Sequence, residues 1–95
     1  MEINIQSLHF DADKKLINFI EDKVGKLELF YDKILGSNVT LKVDSQGKDN
    51  KVAEIKIKLP GKELFAKKQC KSFEEATDEA VEAIRKQIKK HKGKF

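Results

Sequence analysis

The chain has few of the residues that staple, break or catalyse: one Cys, one Pro, five Gly, no Trp and two His in 95 residues. A lone Cys70 permits no intramolecular disulfide, which excludes a stapled secreted scaffold and fits a reducing compartment; Cys70 is read as an ordinary small residue. No stretch approaches the roughly 18 apolar residues of a membrane span, and the opening MEINIQSLHF lacks the basic and long apolar regions of a leader peptide. The expectation is a soluble, cytoplasmic protein with no membrane partner.

Reactive groups are equally sparse. His9 and His91 stand at opposite ends of the sequence, which with one Cys is a poor metal set without ligand-like spacing. No glycine-rich phosphate loop or Ser elbow occurs; KLPGKEL reads as a hairpin turn. An enzyme needs a converging set of reactive groups, and none is visible. The chain is therefore expected to be non-enzymatic, with no metal, no cofactor and no small-molecule substrate.

What the chain does have is charge, unevenly placed. Of its residues 38% are charged and 39% hydrophobic, with a formal net charge of +4. Residues 72–84 carry five acids and no base, whereas residues 85–95 carry six bases and no acid. Residues 40–71 hold nine Lys against four acids. The total is too small to name a partner; its distribution is the informative part.

The hydrophobic pattern gives the elements. Ile3 and Ile5 alternate with polar residues in a strand over residues 2–8. Asp11 or Asp13 then caps a helix whose buried stripe is Leu16, Ile20, Val24, Leu27 and Tyr31. Gly36-Ser37-Asn38 closes that region. Val39, Leu41 and Val43, then Ala53, Ile55, Ile57 and Leu59, alternate as two strands with one wet face each. The turn-rich DSQGKDN links them, and Pro60-Gly61 leads into a fourth strand from Glu63 to Cys70. The last helix runs from Phe73 to about Lys90, with Ser72 as N-cap and Glu75 completing a capping box. On a helical wheel Phe73, Ala76, Thr77, Ala80, Val81, Ile84 and Ile88 share an arc of about 140°, with Lys86, Lys89 and Lys90 roughly opposite. The order β-α-β-β-β-α predicts a single α+β domain over residues 1–95, a four-stranded mixed sheet with two helices packed on one face.

The basic end has two readings. Cations in the last turns of a helix complement its dipole, and such a tail also suits nucleic acid. Lys23 and Lys26 lie on the first helix, and both helices share one face of the sheet, so the two sets can border one groove suited to phosphate. Aromatics fall mostly at helix-core or helix-end positions (Phe19, Phe30, Tyr31, Phe73), with only Phe65 on a strand, so base stacking on the sheet is disfavoured relative to phosphate contacts from helix ends.

Several runs together resemble the ribosome hibernation-promoting factors of the short type, related to the ribosome-associated translation inhibitor. Phe19-Ile20 with Lys23, Lys26-Leu27-Glu28, the pair Phe30-Tyr31 and Asp32-Lys33-Ile34 resemble that family's first helix. Val39-Thr40-Leu41-Lys42-Val43 looks like its second strand. Ile84, Lys86-Gln87-Ile88, Lys90-His91-Lys92 and Lys94 look like its basic C-terminal helix and tail, and the opening Met1, Ile3, Asn4 and Ile5 also match.

The resemblance implies a fold similar to the double-stranded RNA-binding domain, seated on the small ribosomal subunit across the mRNA and tRNA sites, inhibiting translation while preserving idle ribosomes. It implies rRNA contacts at Lys23, Lys26, Lys86, Lys90 and Lys92; Arg85 and Lys89 join them by position on the wheel. Family members often carry Asp-x-Tyr at the start of the last helix; here Ser72-Phe73-Glu74 stands there, so no contact is carried over to that position. The further expectations are a monomer off the ribosome and no C-terminal dimerisation domain. The competing readings are a free-standing double-stranded RNA-binding domain, against which the acidic start of the last helix counts, and a protein-interaction module whose charge serves solubility.

Overall fold

A computed structural model describes residues 1–44 and 47–92. The elements are β1 (Glu2–Ser7), α1 (Lys14–Gly25), α2 (Leu27–Phe30), β2 (Gly36–Val43), β3 (Lys51–Leu59), β4 (Lys62–Cys70) and α3 (Phe73–Lys92). The strands stand in the order β1-β2-β3-β4, with β1 parallel to β2 and the other neighbours antiparallel. This is the α+β arrangement expected from the alternating and helical periods, reached by one crossover and two hairpins.

Alternation along the strands sends one set of side chains to the helices and the other to solvent. Val39 and Leu41, Ala53, Ile55, Ile57 and Leu59, and Leu64, Ala66 and Cys70 are buried on the inner face. They meet Leu16, Ile20 and Val24 of α1 and Ala76, Ala80, Ile84 and Ile88 of α3. Helix α3 lies over β3 and β4, while α1 lies against α3 and β1. Both helices therefore cover one face, and their outer sides meet above the sheet as neighbours.

Local chemistry fixes the ends. Asp13 Oδ1 accepts from the Leu16 amide at 2.8 Å, satisfying one of the unpaired N–H groups that open α1. At the other helix the Ser72 hydroxyl accepts from the Glu75 amide at 3.1 Å. Phe10 stacks on Phe73 with ring centres 5.0 Å apart, fastening the loop before α1 to the start of α3. In the β3–β4 hairpin, Gly61 takes φ +72° after Pro60, the pair a type II turn favours.

Besides shifts of one or two residues at strand ends, three boundaries differ from the sequence reading. The first helix does not reach Tyr31: α1 stops at Gly25, Lys26 turns the chain, and the four residues of α2 follow before Tyr31 becomes extended (φ −153°, ψ 116°). Gly25 holds the helix least well of all residues there, and the Lys26 amide ends the ladder on the Asp22 carbonyl at 3.2 Å. Gly36-Ser37-Asn38 opens β2 instead of closing a loop, because Gly36, Ser37 and Asn38 pair with Glu2, Ile3 and Asn4. Helix α3 continues two residues beyond Lys90. The DSQGKDN link lies in part outside the described residues, and so does Lys94.

Candidate nucleic-acid interface

Along α3 the residues Asp78, Glu82, Arg85, Lys89 and Lys92 recur at alternating spacings of four and three, so they form one stripe up the helix. Its lower half is acidic and its upper half basic. This stripe faces α1 and α2, which run in the same sense: Lys23 meets Asp78 low on the groove, and Phe30 meets Arg85 and Lys92 high on it. Lys86 and Lys90 form the next row round the helix and are exposed.

Two adjoining concavities line this seam. The lower, about 380 Å³, has a floor of Leu27, Phe30 and Val81, with the exposed Leu29 at its edge and a rim of Lys23, Lys26, Arg85, Asp78 and Glu82. The upper, about 420 Å³, is bordered by Phe30, Glu82, Arg85, Lys86, Lys89 and Lys92. Six of the seven cations singled out by sequence thus converge on one continuous groove; Lys90 stands outside both concavities, beside Lys86.

The cations are not equivalent. The Lys23 ammonium pairs with Asp78 at 3.2 Å and lies 5.5 Å from the Phe19 ring centre. The Arg85 guanidinium pairs with Glu82 at 3.4 Å and lies 5.1 Å from the Phe30 ring centre. The Lys92 ammonium lies 4.7 Å from that same ring and donates to the Phe30 carbonyl at 3.1 Å. Lys26, Lys86, Lys89 and Lys90 make no ion pair with a described residue. Tyr31 meets His91 edge-on, ring centres 5.8 Å apart, closing the top of the seam.

Phe30 ends α2, one of the helix-end positions that the sequence offered for its aromatics. Its ring lines both concavities and also packs in part against the core. A Phe-Tyr pair four residues past a Lys was the available signal. The acids Asp78 and Glu82 stand seven and three residues before Arg85, a spacing that places them on its face of the helix.

Elsewhere the Cys70 thiol donates to Glu79 Oε2 at 3.2 Å. Burial, and then the Glu79 carboxylate, push the thiol up to about 11, so it is protonated at neutral pH. The donor atoms of Cys70, Glu75 and Glu79 lie within 4.8 Å of one another, and the thiol-to-carboxylate hydrogen bond accounts for the Cys70–Glu79 approach. On the open face of the sheet Lys42 pairs with Glu54 at 2.8 Å, a contact that raises the ammonium above its ordinary value. Phe65, half exposed and paired with Lys56, is the one aromatic among the described residues of that face. No helix among the described residues is long and apolar enough to cross a membrane.

Residues 3–95 match the sequence profile of the family described as Sigma 54 modulation protein / S30EA ribosomal protein. The ribosome hibernation promoting factor of Pseudomonas putida is 29% identical over 94 residues, which cover 99% of this chain and 89% of that protein. The one from Escherichia coli (strain K12) is 28% identical over 95 residues, covering 100% of this chain and 97% of that protein. Among solved structures, a ribosomal subunit interface protein from Coxiella burnetii superposes with a TM-score of 0.88 at 20% identity, covering 98% of this chain and 99% of that one. The N-terminal domain of Thermus thermophilus Protein Y gives 0.83 at 23% identity, covering 96% of this chain and 99% of that one. These likenesses establish the fold.

Proposed function

The chain belongs to the Sigma 54 modulation protein / S30EA ribosomal protein family, and on that premise we propose that it is a ribosome hibernation factor that binds rRNA of the small subunit through the α1–α3 groove. The observation that carries the reading is the convergence of Lys23, Lys26, Arg85, Lys86, Lys89 and Lys92 on that one seam. A basic groove with rigid walls suits a folded RNA backbone, whose phosphates are matched by shape and charge more than by sequence. The protein acts by occupancy: seated across the mRNA and tRNA sites it excludes both, and nothing is turned over. It works in the cytoplasm, where ribosomes are, and is a monomer off the ribosome.

Sedimentation with separated ribosomal subunits over a salt series tests this reading. The protein is expected to travel with the small subunit and to lose affinity steeply as salt rises, because each Lys–phosphate contact releases counterions. It should inhibit cell-free translation only near one copy per ribosome. Affinity that stays flat with salt would replace RNA contacts with a protein-protein site, and inhibition at a small fraction of the ribosome concentration would replace occupancy with catalysis.

A further inference from the structure

We propose that the lower concavity takes an unpaired nucleobase bearing an exocyclic amino group, so that the groove reads a base as well as a backbone; this rests on the RNA reading above. Two features of the concavity have no use in phosphate binding. Its floor is apolar, with Leu27 and Val81 buried and Leu29 left 89% exposed at its edge. An exposed Leu beside an open apolar hollow gains by meeting a flat apolar surface. The second feature is acidity. Asp78 and Glu82 stand on the rim among three cations, where they would repel a phosphate.

Those carboxylates suit the amino edge of a base. Asp78 engages Lys23 through Oδ1 and Glu82 engages Arg85 through Oε2. Each keeps its second oxygen to accept an N–H, as Asp and Glu do from the cytosine amino group. The ion pairs also hold the carboxylates in place. Lys23, Lys26 and Arg85 around the same rim are set to take the phosphates flanking an extruded base. With about 380 Å³ of space the concavity falls at the small end of ligand-sized sites.

Hexacytidylate and hexauridylate have the same length and charge and differ at the edge in question, an amino donor in one and a carbonyl acceptor in the other. Titrated into the whole chain at one salt concentration and followed by NMR, hexacytidylate is expected to bind about tenfold more tightly, moving the Leu29 and Val81 methyl and Phe30 ring signals. The double variant Asp78→Asn with Glu82→Gln presents amides that can donate or accept, so the ratio should fall to about one while both oligomers bind more tightly. Leu29→Ala should weaken hexacytidylate several-fold with the salt dependence unchanged. Equal affinity of the parent for both oligomers, with changes confined to Lys and Arg signals, would overturn the base site and leave the RNA reading intact. If neither oligomer binds, small-subunit binding decides: parent-like affinity of the Leu29→Ala variant overturns the base site, a several-fold loss supports it, and a parent that does not bind small subunits overturns both readings.

Discussion

Lys92 and Phe30, 62 residues apart in sequence, meet twice: the ammonium stands 4.7 Å from the ring centre and donates to the same residue's carbonyl at 3.1 Å. With Arg85 over the same ring at 5.1 Å, one aromatic orders two cations of α3. Phe30→Leu keeps an apolar side chain but removes the ring's attraction for both. It should cost about 1 kcal/mol of stability, read by urea unfolding, and weaken small-subunit binding several-fold. Parent-like binding would show that neither cation needs the ring.

Lys86 and Lys90 lie opposite Ile88 and Lys89 lies on the groove stripe, all three exposed, so these cations and the core can be tested separately. Changing the three Lys to Gln should alter stability by only about 0.3 kcal/mol at each position, from the helix dipole. Small-subunit binding should fall far more, with the salt dependence shallower by roughly two to three units. Ile88 is fully buried, and Ile88→Ala should instead cost about 2–5 kcal/mol and lose binding only through unfolding. Equal small-subunit binding by the triple variant and the parent would reduce these lysines to solvation.

Lys23 and Lys26 sit three residues apart and look alike in sequence, yet only Lys23 carries a partner, Asp78 at 3.2 Å. A cation already held by a carboxylate must give up that partner to meet a phosphate, so it gains less from the contact. Lys26→Gln should therefore weaken small-subunit binding at least several-fold more than Lys23→Gln, measured at one salt concentration. The opposite order would mean that the Lys23–Asp78 pair opens on binding.

Cys70 gives a pH signature. Its thiol holds its proton to about 11 in the fold against an ordinary value of 9.0. The unfolded chain thus ionises first, and stability that is fully present below pH 9 is lost as pH rises toward 11. In Cys70→Ala that slope should be shallower than in the parent over this window, read as the difference in urea midpoints. The same protonation predicts slow reaction of the native thiol with a disulfide reagent at pH 8. Identical slopes, or rapid labelling of the folded protein, would contradict the shift.

By itself the sequence determined the elements that repeat. Periods of two and of three to four residues are written in local side chains, so the strands around Val39–Val43, Ala53–Leu59 and Glu63–Cys70, the cap Ser72, a cap at Asp11 or Asp13, and the solvent row of Lys86 and Lys90 were all legible without a fold. It also determined where charge lies along α3, because a helix converts spacing into a face. What only the tertiary structure decided is which faces meet. The break at Gly25-Lys26 costs little locally, and only the docking of α2 beside α3 turns Phe30 toward Arg85 and Lys92. Nor does sequence separation tell Lys23 from Lys26, since the partner that distinguishes them, Asp78, is brought across by helix packing over the sheet. Charge pairing and concavity depend on distances between elements, and those are set by the shared core that Ile20, Ile55 and Ile84 build beneath the groove.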